Sequence, residues 1–247
     1  MQTKLIAIEP NWPAPKTIKA YTTLRTGGVS PAPYHELNLG KNTDDMAENI
    51  EKNRHILHQT LELPNTPIWL KQIHSTQVLH ALPENINKEG DASFTHQPKQ
   101  VCTVTTADCI PILVCNRQGT SVAAIHAGWR GLVEGVIEAT LLALQLPPTE
   151  LLVWLGPAIG PTAFEIGPEV REKFLLASPE AEYAFSPTLN QRWLGDLYAL
   201  AKLRLQKQGV TEIYGGDYCT YSDEKRFFSY RRDGKETGRM ASLIWIT

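Results

Sequence analysis

The chain has 247 residues, with 24 basic and 26 acidic side chains, a formal net charge of −2 and 42% hydrophobic content. At ~150 residues per domain this length allows one or two domains, and a chain of this size buries roughly 70–75% of its extended surface without disulfide or metal staples. The balanced charge gives no global signal for nucleic acid or for a membrane surface, so any anion site has to be local.

The N-terminal MQTKLIAIEPNWPAP has no apolar core of signal-peptide length. No apolar run approaches the ~20 residues of a membrane span. Cys102, Cys109, Cys115 and Cys219 therefore read as thiols, and the expected compartment is the cytoplasm.

Ile18–Leu24 reads as a strand ending in the Gly27-Gly28 turn. The turn-rich RTGGVSPAPYHELNLG that follows is long for a connection, a sign of function or disorder, and its Leu37-Asn38-Leu39 content argues for order. Asn42 or Thr43 is the expected cap of a helix with Met46, Ile50, Leu57 and Leu61 on one face, stopped by Pro64. His55 and His58 sit one turn apart on it, a spacing read as a solvated face.

Ile68–Leu70 and Gln72–Leu82 read as strands, with His74 in the alternating second one, and Gly90-Asp91-Ala92 turns into a Val101–Thr106 strand. The apolar runs Ile110–Cys115 and Val122–Ile125 flank the turn signal Asn116–Gly119 and read as an antiparallel pair. Cys109 begins the first run and His126 closes the second, so pairing brings them together. Leu132–Leu146 reads as an apolar helix, Leu151–Leu155 as a buried strand, and Pro168–Leu176 as a short helix with Pro at its start. A helix over Asp196–Gln208 follows, then strands Glu212–Tyr214, Phe227–Tyr230 and Ala241–Ile246, with the polar turn RRDGKETGR between the last two. Without repeats, linkers or a βαβ rhythm, the expected class is α+β with mixed sheets, one domain over 1–247 with an N-terminal extension over 1–17.

His74, Cys109 and His126 are three donors that suit a catalytic zinc with an open fourth position. Such a metal lowers the pKa of bound water to about 7. A blue-copper centre would add an axial Met, but Met1, Met46 and Met240 all lie away from the ligand motifs, and seven histidines without an HxH pair are a poor supply for several coppers. The same residues also allow Cys109 as a nucleophile with His126 as its base. Arg25, Arg130, Arg231, Arg232 and Arg239 occur in glycine-containing turns or at a helix start, and arginine forks match phosphate geometry. Asp91, Asp108 and Glu165 are candidate acid/base carboxylates, and Asp108 could instead support the adjoining cysteine. No P-loop, Rossmann or zinc-deaminase signature is present.

The segments TADCIPILV, AAIHAGWRG, WLGPAIGP and FFSYRRDG…TGRMASLIW, with TLRTGGVS…LNLG and WLKQIHSTQV upstream, resemble the YfiH-like laccase-domain family over roughly Ile18 to Thr247. The resemblance implies an α-β-β-α sandwich similar to that of bacterial toxin cysteine hydrolases. It implies zinc held by His74, Cys109 and His126. Taken with the reading of the residues above, Cys109, His126, Asp108 and Asp91 are the expected catalytic residues, and Arg25, Asn38, Arg130, Arg231, Arg232 and Arg239 the expected substrate- and phosphate-binding ones. The implied activity is phosphorolysis of adenosine, inosine, guanosine and methylthioadenosine, with adenosine deamination, by a monomer or homodimer acting on small anionic substrates rather than nucleic acid or membrane. The alternative is a peptidoglycan-editing amidase that removes L-Ser from UDP-MurNAc-L-Ser; a copper polyphenol oxidase is a weaker reading. The chain departs from the family pattern at Arg25, at Thr162-Ala163 where many members carry cysteine, and at Gly195.

Overall fold

Four layers are stacked in the order helix, sheet, sheet, helices, in a computed structural model that describes residues 7–247. The chain begins with β1 (Ala7–Ile8), β2 (Ile18–Thr23), α1 (Ala47–Thr60), β3 (Val78–His80), β4 (Ala92–Thr95) and β5 (Cys102–Thr106). The central hairpin β6 (Ile110–Asn116) and β7 (Val122–Ala127) leads into α2 (Trp129–Glu134), α3 (Val136–Leu144) and β8 (Leu151–Leu155). Then come β9 (Glu165–Ile166), α4 (Pro168–Ala177), β10 (Phe185–Pro187), β11 (Trp193–Gly195), α5 (Leu197–Lys207), β12 (Glu212–Gly215), α6 (Tyr230–Asp233) and β13 (Met240–Ile246).

A mixed six-stranded sheet runs β12-β8-β6-β7-β4-β3, and an antiparallel four-stranded sheet runs β1-β2-β13-β5. A small antiparallel sheet, β10-β11-β9, stands apart. The period-2 alternation of strand side chains explains the layering. Ile110, Ile112 and Val114 of β6 and Val153 and Leu155 of β8 face the helices, while Leu113, Cys115, Leu152 and Trp154 face the other sheet. In β13, Ile244 and Ile246 face inward, and Leu243 and Trp245 pack under α1 with Leu57. The α+β class with mixed sheets is therefore the observed fold.

Several local expectations are corrected. The first helix starts at Ala47, after Met46, because Thr43 Oγ1 donates to the Gly40 carbonyl instead of capping, and Met46 is 63% exposed. Of Gln72–Leu82 only Val78–His80 is a strand, paired parallel with the buried β4, which the sequence pattern did not reveal. The Leu132–Leu146 helix is two helices, broken at Gly135, whose φ of 104° lies in the left-handed region. Phe227–Tyr230 is not a strand: Phe227 and Phe228 are both fully buried, and Ser229 caps α6 by accepting the Arg232 N–H. The expected 1–17 extension supplies β1, an edge strand paired with β2; its residues 1–6 lie outside the described residues. Among the described residues no helix is long and apolar enough to cross a membrane.

Candidate active site

The β6–β7 register places Pro111 opposite His126. Cys109, two residues before Pro111, thus lies on the same sheet face as His126, at the end of the hairpin and against the four-stranded sheet. His74 reaches them from a loop rather than from a strand. Its φ of 61° is left-handed, and the backbone of residues 73–75 is held by the Asp91 side chain rather than by a strand ladder. The Asp91 carboxylate accepts the backbone N–H groups of Ile73, His74 and Ser75 at 3.2, 2.9 and 2.6 Å, and the Ser75 hydroxyl at 2.8 Å. The same carboxylate bonds His126 Nδ1 at 2.8 Å, and the Asp91 carbonyl takes the His126 N–H.

The donor atoms of His74, Cys109 and His126 all lie within 4.8 Å of one another, with Cys109 Sγ 3.9 Å from His74 Nε2. Since Asp91 occupies Nδ1 of His126, Nε2 is the nitrogen left for a metal, the arrangement in which a carboxylate orients a ligating histidine. Gly128 closes the site on one side. A Cβ there would stand 2.7 Å from His74 Cδ2 and 3.0 Å from Cys109 Sγ. Two imidazoles and a thiol, converging with a backbone that leaves room for nothing larger than hydrogen, fit a single metal ion.

The electrostatics favour the ligating form of the cysteine. Burial opposes ionisation of the Cys109 thiol, but the His126 and His74 rings outweigh it and hold its pKa below the ordinary thiol range. Burial likewise opposes charge on His126, yet Cys109 and Asp91 together raise the imidazole. Asp91 is held below the usual carboxylate range because the His126 and Ser75 donors overcome its burial. By contrast, burial pushes the thiols of Cys102 and Cys115 up to about 12, leaving them inert core residues.

These donors line a cavity of about 430 Å³. Arg130, Arg231 and Arg239 also line it, and each lies over the ring of another lining residue: Arg130 over Trp129 at 4.5 Å, Arg231 over Phe164 at 5.6 Å, Arg239 over Tyr230 at 5.8 Å. Among the described residues none of the three is paired with a carboxylate. Burial lowers the Arg239 pKa, against the opposing pull of Cys109, Tyr230 and Asp108. Ile159, Phe164 and Leu197 give the cavity an apolar wall.

The other expected residues are placed elsewhere. Arg25 donates to the carbonyls of His35 and Glu224. Arg232 donates to the carbonyls of Thr220, Tyr221 and Phe227 and is paired with Asp233. Neither lines the cavity, so the five-arginine cluster becomes three. Asn38 is fully buried, and its Oδ1 accepts the Gly40 and Arg239 N–H groups. Glu165 pairs with Arg192. Asp108 does line the cavity, but both its oxygens accept protein donors.

Sequence reasoning missed the aromatic shelves and Gln72. The aromatic neighbours Trp129-Arg130 and Tyr230-Arg231 were the available signal for the first. Gln72 also lines the cavity, and its side chain completes a strand-like exchange with Thr105, accepting its N–H at 2.8 Å and donating to its carbonyl at 2.8 Å. No local pattern announces that bond.

The fold and the site together define an α+β protein with a three-donor metal-type centre facing an arginine-lined pocket. Residues 19–247 match the family described as multi-copper polyphenol oxidoreductase laccase. The chain is 51% identical to a purine nucleoside phosphorylase of Pseudomonas aeruginosa and 50% identical to the purine nucleoside phosphorylase YfiH of Escherichia coli, in both cases over 97% of this chain and 98% of the relative. A crystal structure of a Neisseria meningitidis protein superposes with a TM-score of 0.94 at 48% identity, covering 97% of this chain and 98% of that one. The chain belongs to the YfiH-like laccase-domain family.

Proposed function

We propose that this chain is a zinc-dependent purine nucleoside phosphorylase that takes adenosine, inosine, guanosine and methylthioadenosine and also deaminates adenosine in the same pocket. The observation that carries the reading is the shared cavity: a His-Cys-His centre, three arginines with no carboxylate partner among the described residues, and an apolar wall all line it. The relatives' names point the same way.

Zinc fits better than copper. Among the described residues one group of donors is close enough for a metal, and Met240 spends its sulfur on the Phe228 N–H at 3.1 Å rather than serving as an axial ligand. When bound, zinc would act as a Lewis acid toward a substrate oxygen or water. His74 Nε2, Cys109 Sγ and His126 Nε2 would hold it, with Asp91 fixing the His126 ring.

Arg130, Arg231 and Arg239 bind inorganic phosphate, and their aromatic shelves hold the guanidinium planes; Arg130 and Arg231 stay open to solvent, where phosphate enters, while Arg239 is half-buried. The purine lies against Ile159, Phe164 and Leu197. A phosphate oxygen attacks the anomeric carbon as the bond to the purine nitrogen breaks. The electron pair leaves with the base, which takes up the proton given up by the phosphate monoanion. The products are ribose 1-phosphate and free purine. The chain's contribution is mainly orientation and charge complementarity.

The test is purified protein of measured metal content incubated with adenosine and phosphate, then with UDP-MurNAc-L-Ser. Adenine and ribose 1-phosphate that disappear in Cys109→Ala support the reading. Serine release alone would replace it with the amidase reading, and stoichiometric copper with phenol oxidation would replace both.

A further inference from the structure

Asp108 lines the cavity next in sequence to Cys109, and its carboxylate bonds the backbone of Arg231, another lining residue. Its backbone φ of 90° is left-handed, a conformation that Asp and Asn tolerate better than most residues. Oδ1 accepts the Thr220 hydroxyl at 2.6 Å and Oδ2 accepts the Arg231 N–H at 2.6 Å, while its carbonyl takes the Ile159 N–H at 3.0 Å. The Arg231 guanidinium is held in turn by the carbonyls of Ala163 and Glu165 at 3.2 and 2.9 Å. A parallel device serves the other end of this segment, where buried Asn38 captures the Arg239 N–H at 2.9 Å.

We infer that Asp108 is a positioning residue, not the proton carrier of the pocket: by seizing the Arg231 amide it fixes the reach between Cys109 and the phosphate-binding guanidinium. Both of its oxygens act on protein groups, and short bonds to a carboxylate are stronger and more directional than neutral ones. The left-handed turn lets one residue serve both sides, with its backbone leading into the cysteine and its side chain reaching the start of α6. This inference rests on the phosphorylase reading, because the arginine it places is the one assigned to phosphate.

Two substitutions separate positioning from proton transfer. Asp108→Asn keeps the turn, keeps an oxygen for Arg231 and turns an amide toward Thr220, whose hydroxyl accepts as readily as it donates. Asp108→Gly keeps the turn and removes both acceptors. Metal-loaded wild type and variants are titrated with inorganic phosphate by calorimetry, and kcat and the phosphate KM are measured with adenosine.

Asp108→Asn keeps both contacts but only as neutral bonds, so it is expected to weaken phosphate binding and raise its KM less than Asp108→Gly does, with kcat at saturating phosphate within about threefold of wild type. Asp108→Gly is expected to weaken phosphate binding and raise its KM roughly tenfold, the scale of a lost charge-assisted bond, with metal content and kcat at saturating phosphate within about threefold. Asp108→Gly that binds phosphate like wild type overturns the inference, as does a hundredfold fall in kcat in Asp108→Asn with phosphate binding intact. A wild type that binds no phosphate overturns the phosphorylase reading and this inference with it.

Discussion

Asp91 and His126 are joined twice, by a 2.8 Å bond from the carboxylate to Nδ1 and by a 2.7 Å bond from the His126 N–H to the Asp91 carbonyl. Because the same carboxylate also gathers the N–H groups of residues 73–75, one buried side chain sets the position of both histidines. An amide cannot accept every one of these donors. Asp91→Asn is therefore expected to weaken metal binding about 10- to 100-fold, the usual cost of losing a histidine's outer partner. Chelator competition measures it, and an unchanged affinity would show that the histidines hold their places without Asp91.

Gly128 faces the ligands across a gap that a methyl group would fill. Gly128→Ala is expected to purify folded, with wild-type far-ultraviolet circular dichroism, but with metal content well below one equivalent and at least a tenfold loss of turnover, since small displacements of reacting groups are costly. Full metal occupancy in the variant would mean that His74 can swing aside at little cost.

The arginines sort into two classes. Arg231→Lys keeps a charge but loses the fork and is expected to raise the phosphate KM about tenfold, with small effects on melting temperature. Arg232→Ala removes donors to three carbonyls, two of them on the buried residues Thr220 and Phe227, and should lower stability by about 2 kcal/mol, since a buried carbonyl left without a donor has a cost. Its phosphate KM should stay near wild type. Denaturant unfolding and steady-state kinetics on both variants check the split, and a reversed pattern would reassign the anion site.

Metal removal links site and stability. A strong chelator should abolish turnover and lower the melting temperature, and added zinc should restore both. A ligand present at ~1,000 times its Kd contributes about 4 kcal/mol to the folded state, so several degrees are expected. A protein whose activity survives chelation to below a tenth of an equivalent of metal would favour the Cys109–His126 pair acting alone.

By itself the sequence determined the strand pair that brings Cys109 beside His126, the buried strand Leu151–Leu155, and the helices opened by Pro168 and Asp196. In each case the deciding signal is local. Apolar runs bound a turn, proline fills a first helical position, and the Asp196 side chain caps by accepting the Ala199 N–H at 2.9 Å. Only the tertiary structure decided that His74 sits in a left-handed loop, that Phe227–Tyr230 leads into a helix, and that Arg130, Arg231 and Arg239 face the cavity while Arg25 and Arg232 do not. Those outcomes depend on acceptors supplied from far along the chain: Asp91 for residues 73–75, Asp108 for Arg231, Asn38 for Arg239, and the Thr220 and Phe227 carbonyls for Arg232. A polar side chain's role follows from which distant group satisfies it once water is excluded, and a linear pattern carries no record of that partner.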